Sequence, residues 1–179
     1  MAEGSFYFTS KSSKADNIKK GLSSPKQLNI LHDLSSYKPL LCGKIPLGID
    51  YEQSDLDIVL DTDHLDSLAL KLKTTYGQYS EFSQKKTKIR GREVLMTIFF
   101  FEDFEFELFA QAQNTKEQYG YLHMIIEYYL LQENPEWKKC IRQMKQNGLK
   151  TESAFCLLLD LKGDPYDELI KYGKVKKYI

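Results

Sequence analysis

Two carboxylates stand two residues apart in the segment Ser54-Asp55-Leu56-Asp57-Ile58-Val59-Leu60, where apolar residues surround them. This alternation is typical of a strand. Side chains two apart on a strand point to the same face, so Asp55 and Asp57 would project together while Leu56 and Ile58 enter the core. Adjacent carboxylates repel each other unless a cation lies between them. Oxygen ligands of this kind are typical of Mg²⁺ sites, which water and substrate phosphates complete.

A second acidic strand is predicted further along the chain. The segment Phe104-Glu105-Phe106-Glu107-Leu108-Phe109 alternates in the way a strand does. If it neighbours the first strand, Glu105 or Glu107 would share a cleft with the two aspartates, and three carboxylates suit a two-metal phosphoryl-transfer site. Both glutamates have the same strand parity, so periodicity does not choose between them. The alternative for both acidic segments is a solvated sheet face without metal chemistry.

The composition is that of an ordinary globular domain. The chain has 179 residues, 42% hydrophobic and 28% charged, which is enough for one domain with a real core. Lys plus Arg and Asp plus Glu each number 25, so the zero net charge argues against a protein held mainly by nucleic-acid phosphates. Cys42, Cys140 and Cys156 have neither disulfide nor zinc spacing. With no signal peptide and no apolar run of about 18 residues, the sequence predicts a cytoplasmic protein without a membrane span.

Strand patterns fill the first two-thirds of the chain. Ser24-Pro25 is typical of a helix start, and strands are predicted over residues 40–43 and 55–60. Residues 43–53 contain Pro and Gly and predict an irregular turn between these strands. Arg90-Gly91-Arg92 predicts a hairpin turn with solvent-exposed arginines.

The last third of the chain has helical patterns. Thr151 is expected to cap one of these helices. His123 and Glu127, four apart on another, could share a face and are expected to form a hydrogen-bonded pair at a domain junction. Strands followed by helices predict an α+β protein. Its predicted parts are a loosely ordered segment over residues 1–22, an α/β core over residues 23–113 and a C-terminal helical region over residues 114–179.

Several segments carry a resemblance to a known superfamily. The strand that ends at Gly43, the Ser54-Asp55-Leu56-Asp57 strand and a later acidic strand together resemble the nucleotidyltransferase fold of the DNA polymerase beta superfamily. More closely, the chain is similar to a bacterial nucleotidyltransferase-like family of unknown function. The matching segments are LCGKIPLGI (41–49), SDLDI (54–58), FELFAQ (106–111), YLHM (121–124), GLKTESAF (148–155) and GDPY (163–166).

The resemblance implies a mixed sheet with helices, followed by a helical region that closes a cleft. It also implies that Asp55, Asp57 and Glu107 are catalytic and hold Mg²⁺, with two metal ions as one option. Glu107 is preferred to Glu105 because the family acid precedes an apolar pair and a Gln. The residues implied to bind substrate are Gly43, Lys44, Ser54, His123 and Lys150.

One departure from the family pattern concerns the residue after Gly43. The family has a hydroxyl residue there, whereas this chain has Lys44, which either offers a point charge to a phosphate or lies on the surface. The leading hypothesis is Mg²⁺-dependent transfer of a nucleotidyl group from an NTP to an unknown acceptor. The alternative is a catalytically inactive domain that keeps the fold and binds nucleotide or a protein partner.

Overall fold

A five-stranded mixed sheet forms the centre of the protein. A computed structural model describes residues 28–50, 55–102 and 104–179. The strands are β1 (Leu40–Cys42), β2 (Leu56–Asp61), β3 (Ser80–Ile89), β4 (Arg92–Phe101) and β5 (Phe104–Gln111). The predicted α+β class is confirmed. The segment 1–22, the helix start at Ser24-Pro25 and the predicted site residue Ser54 lie outside the described residues.

The strands lie in the order β1-β2-β5-β4-β3. β2 and β5 pair in parallel, with Asp57 opposite Glu107, whereas the other neighbouring pairs are antiparallel. Arg90 and Gly91 both have positive φ and form the two-residue turn between β3 and β4, as predicted. β3 forms one edge of the described sheet and is rich in lysine, which is common on edge strands.

Helices cover both faces of the sheet. They are α1 (Ile30–Asp33), α2 (Lys44–Leu47), α3 (Leu65–Tyr76), α4 (Tyr119–Glu133), α5 (Trp137–Gln146), α6 (Thr151–Leu158) and α7 (Pro165–Val175). The expectation of an irregular turn over 43–53 is wrong at α2, because Pro46 lies in a first helical turn, where its missing N–H is not needed. None of the described helices has both the length and the apolar character required to cross a membrane.

β2 is buried on both faces because its side chains alternate between two hydrophobic cores. Leu56, Ile58 and Leu60 join the core beneath α3. Val59 joins the second core, which the C-terminal helices share with β1 and α2. The second core thus combines residues from the predicted α/β and helical parts of the chain, and the three-part division stays a prediction.

Candidate functional site

The three predicted metal-binding carboxylates lie together on the parallel strand pair. Asp55 directly precedes β2, Asp57 lies near its start, and Glu107 lies on β5. Because Asp57 pairs with Glu107 in the parallel register, their side chains share a face of the sheet. One carboxylate oxygen from each of the three acids lies within 4.8 Å of the other two. The structure therefore brings the three acids together, and their chemical roles stay a prediction.

The register also distinguishes the two glutamates of β5. Glu105 and Glu107 point to the same face, but Glu107 stands opposite Asp57, inside the strand pair. Glu105 lies two residues earlier on β5, beside Phe100 of β4, and burial and then the charge of Asp55 raise its pKa. Of the two, it is Glu107 that forms the acidic cluster with both aspartates and lines the cavity above it. This geometry supports the choice of Glu107, which periodicity alone left open.

Burial and mutual repulsion oppose the ionisation of the acidic cluster. Burial, followed by the charge of Asp55, raises the pKa of Asp57 to about 8, and the nearby ammonium of Lys44 offsets only part of this. Burial and then Asp55 also raise the pKa of Glu107. A cation bound among the three groups would favour their charged forms and reverse both shifts.

Gly43 brings the backbone against the acidic cluster. Its φ of 75° and ψ of −150° belong to a region that essentially only glycine adopts. A Cβ atom on Gly43 would lie 2.0 Å from Oδ2 of Asp57, so a larger residue would displace that carboxylate. Helix α2 begins directly afterwards with Lys44, whose ammonium forms an ion pair with Asp55. The side chain of Lys44 is only 16% exposed, so the alternative of a surface position is wrong.

A cavity of about 390 Å³ opens over the acidic cluster. This volume lies in the range of small-molecule sites. All of the predicted site residues that the structure describes line it: Gly43, Lys44, Asp55, Asp57, Glu107, His123 and Lys150. The remaining wall includes residues of β2 and β5, the tip of the β3–β4 hairpin, and helices α4 to α7.

Helix α4 contributes His123 and Glu127, both buried, to one wall of the cavity. Nε2–H of His123 donates a hydrogen bond to the carbonyl oxygen of Tyr166 at 2.9 Å, and Nδ1 lies 3.8 Å from Oε1 of Glu152. His123 therefore lines the cavity, and its hydrogen bond is made to Tyr166 and not to Glu127, so the expected hydrogen-bonded pair of His123 and Glu127 is not seen. Desolvation lowers the pKa of His123 and raises that of Glu127 well above its ordinary value.

Lys145 is a cavity residue that sequence reasoning missed. It is buried, and its Nζ donates a hydrogen bond to Oγ1 of Thr151 at 2.6 Å. The expectation that Thr151 caps α6 is wrong, because Thr151 is the first helical residue, Lys150 holds the cap position, and the threonine hydroxyl serves Lys145 instead. A signal was present: Lys145 follows the buried Ile141 by four residues, so a lysine falls on the buried face of α5.

The rim of the cavity includes Arg90 at the hairpin tip, whose side chain is solvent-exposed, as predicted, and also makes specific contacts. Its guanidinium carbon lies 4.6 Å from the ring centroid of Tyr119 and 5.4 Å from that of Tyr166. Nη2 and Nε lie 3.4 Å and 3.3 Å from carboxylate oxygens of Asp164 and Asp167. These contacts join the hairpin to the N-terminal end of α7, which local sequence does not reveal.

The donor set of the acidic cluster fits Mg²⁺. In an octahedral site with metal–oxygen distances of about 2.1 Å, two ligand oxygens lie roughly 3 to 4.2 Å apart. The oxygens of Asp55, Asp57 and Glu107 lie within 4.8 Å of one another, so small side-chain movements would bring them onto one ion or across two.

Sequence comparison matches residues 24–172 to a family described as a domain of unknown function (DUF4269). The chain belongs to this family. The matched region contains β1 to β5 and all of the residues of the acidic cluster. None of the curated proteins matches the sequence.

Comparison with solved structures identifies the fold. The structure of the GLD-2/RNP-8 complex matches with a TM-score of 0.53 at 18% identity, over 84% of this chain and 58% of that one. The Cid1 poly(U) polymerase with Mg 3′-dATP bound matches with a TM-score of 0.54 at 12% identity, over 76% and 42%. The polymerase core of TRAMP, an RNA surveillance complex, matches with a TM-score of 0.50 at 16% identity, over 89% and 61%.

These likenesses show a nucleotidyltransferase-like fold. The chain spans less than two-thirds of the length of each of these three structures. The fold implied by the sequence resemblance is therefore confirmed, and the bacterial source that the resemblance implied stays a prediction.

Proposed function

We propose that the protein is a Mg²⁺-dependent nucleotidyltransferase that transfers a nucleotidyl group from an NTP to an acceptor hydroxyl. The observation that carries the proposal is the cluster of Asp55, Asp57 and Glu107 at the floor of a nucleotide-sized cavity. Three converging carboxylates cost stability unless they serve a cation. Their position in a fold shared with polymerases supports the same chemistry.

Asp55, Asp57 and Glu107 would hold one or two Mg²⁺ ions. Bound Mg²⁺ neutralises phosphate charge and aligns the attacking and leaving oxygens. Gly43 allows the backbone to approach the phosphates closely. Lys44, together with Ser54, would lie at the phosphate end of the site.

The acceptor hydroxyl oxygen attacks the α-phosphorus, and the bond from that phosphorus to the pyrophosphate oxygen breaks as the new bond forms. Glu107 would receive the hydroxyl proton. Pyrophosphate leaves with the electron pair of the broken bond.

Basic side chains that line the cavity would bind the triphosphate. Lys44, Lys145 and Lys150 all line the cavity, on α2, α5 and the start of α6. Ammonium groups act as point charges on phosphate oxygens, and burial strengthens that interaction. His123 would lie on the α4 side of the bound nucleotide.

A second candidate function is nucleotide or protein binding without catalysis. The observation that favours it is the ion pair between Lys44 and Asp55, which uses a metal-binding carboxylate in the place where the family has a hydroxyl residue. The acceptor, whether a small molecule, protein or nucleic acid, and the preferred base stay open in both candidates.

We also propose a cytoplasmic location, since Cys42, Cys140 and Cys156 are free thiols, as reducing compartments maintain.

Thermal unfolding with Mg²⁺ and each of the four NTPs tests nucleotide binding. We expect a rise in Tm that requires both Mg²⁺ and nucleotide in the wild type and is lost in Asp55→Asn. Asp61→Asn is the matched control, because Asp61 also lies on β2 but pairs with Lys38 outside the cavity. A second assay follows the transfer of label from an α-³²P NTP to added acceptors. Nucleotide binding without pyrophosphate release would favour the non-catalytic binding function. An unchanged Mg-NTP response in Asp55→Asn would contradict the proposed metal site.

A further inference from the structure

We propose that Lys44 is a tethered cation that occupies the Asp55 carboxylate in the empty site and leaves it for a phosphate group when nucleotide binds. The inference rests on the proposed metal site and deepens it. In this view Lys44 competes with the divalent cation for Asp55, in addition to contacting the substrate. The consequence is that metal and nucleotide bind cooperatively, each weakly without the other.

The first support is the position of the Lys44 ammonium. It forms an ion pair with Oδ1 of Asp55, one of the three acids whose oxygens converge in the cluster. Both side chains are largely shielded from solvent, at 16% and 24% exposed. A shielded pair is screened less by salt and water than a surface pair, so it competes more effectively with ions from solution.

The second support is the backbone that carries Lys44. Gly43 holds the chain so close to Asp57 that a Cβ atom would not fit, and α2 starts at the next residue. The lysine is therefore attached at the edge of the acidic cluster.

Competition follows from charge and space. An ammonium on the Asp55 oxygen and a divalent cation on the same carboxylate repel each other at short distance. Metal binding in the absence of nucleotide must therefore break the ion pair. A bound triphosphate offers the ammonium a new anionic partner on the metal side of the cavity, so the exchange then costs much less. By linkage, nucleotide must raise metal affinity by the same factor that metal raises nucleotide affinity.

The test is calorimetric titration of the nucleotide-free protein with Mn²⁺, used as a probe for Mg²⁺. Lys44→Met removes the charge and keeps the length of the side chain. We expect it to bind Mn²⁺ about tenfold more tightly than the wild type, the effect of losing one charged pair. Lys44→Gln gives the same result by a different side chain, which guards against a folding defect in the first variant.

Two controls separate competition from a general change in charge. Lys38→Met also breaks an ion pair with an aspartate of β2, but Lys38 pairs with Asp61 outside the cavity, so Mn²⁺ affinity should stay at the wild-type value. Lys150→Met removes a cation from the cavity wall without breaking the Asp55 pair, and its effect should be much smaller than that of Lys44→Met.

Lys44→Met should have the opposite effect on nucleotide affinity. With Mg²⁺ present at saturation, Lys44→Met should bind NTP about tenfold more weakly, because the phosphate loses a charged partner. If both Lys44 variants bind Mn²⁺ no more tightly than the wild type, while Asp55→Asn still abolishes binding, the competition is refuted and the proposed metal site stands. If neither the wild type nor the Lys44 variants bind Mn²⁺ in an Asp55-dependent way, the proposed function itself fails.

Discussion

Replacement of Gly43 by alanine is the sharpest single test of the site geometry. The substitution adds one methyl group, which would lie 2.0 Å from Oδ2 of Asp57. Ordinary contact begins at 3.4 Å, so the carboxylate has to move by about 1.4 Å. Metal sites hold their ligands to within about 0.2 Å. We therefore expect Gly43→Ala to remove one ligand from the cluster while leaving the fold in place.

The expected magnitudes for stability and binding differ. A non-glycine residue in this backbone region costs about 1 to 3 kcal/mol. For a chain of this size each kcal/mol lowers Tm by about 2 to 4 °C, so a decrease of roughly 5 °C is expected. Loss of even an indirect metal partner commonly weakens affinity by 10- to 100-fold, so displacement of Asp57 should weaken Mn²⁺ binding by about 100-fold.

Gly91→Ala provides the matched control. Gly91 also has a positive φ, of 81°, but a Cβ atom there would meet nothing within 4 Å. This variant should lose stability through backbone strain and keep the metal affinity of the wild type. Calorimetry with Mn²⁺ and thermal unfolding on the three proteins give both quantities. The argument that a Cβ atom at Gly43 displaces the Asp57 carboxylate would be refuted if Gly43→Ala kept the wild-type Mn²⁺ affinity. It would also be refuted if Gly91→Ala lost as much Mn²⁺ affinity as Gly43→Ala.

Three further predictions concern charge. In the absence of divalent cations, the free energy of unfolding should fall as the pH rises from about 4 to about 8. The reason is that the unfolded chain releases the Asp57 proton near pH 3.8, whereas the folded protein keeps this proton up to its pKa of about 8. Urea titrations should show a shallower decline in Asp57→Asn, and an equal slope would contradict this assignment. Glu107→Gln should abolish Asp55-dependent Mn²⁺ binding and Glu105→Gln should not, and the reverse result in calorimetry would exchange their roles. Arg90→Ala removes aromatic and carboxylate contacts, so it should lower the free energy of unfolding by about 1 kcal/mol and Tm by about 3 °C. Arg92 is exposed, and Arg92→Ala should not change Tm in the same thermal scan.

Local pattern was enough to predict most of the fold. Strict alternation marked β2 and β5, because this pattern follows directly from the geometry of one element. The acidic cluster could be predicted from strand parity together with the resemblance. Parity placed Asp55 and Asp57 on one face, but it could not say which glutamate of β5 would stand opposite Asp57, since register depends on the pairing of distant strands.

Features that depend on tertiary contacts were missed. Arg90 lies in an ordinary hairpin turn, and only the approach of α7 supplies its partners Asp164 and Asp167. Lys145 is buried because α6 places the Thr151 hydroxyl beside it. Helix α2 replaced an expected turn because a proline is tolerated in a first helical turn. For Arg90 and Lys145, the contacts that determine the side-chain environment come from another element. For α2, the position of the proline within the helix decides, and composition does not show it.

The parallel pairing of β2 with β5 also determines the order in which parts of the sheet form during folding. β3, β4 and β5 are consecutive antiparallel strands, whereas the contact of β2 with β5 spans the whole of α3, β3 and β4. Closing such a long loop has a larger entropic cost, so we expect this pair to form after the hairpins. The same step brings Asp57 against Glu107, two acids that repel each other. A cation bound between them stabilises a contact that is absent from the folding transition state, and it should therefore slow unfolding while leaving the folding rate unchanged.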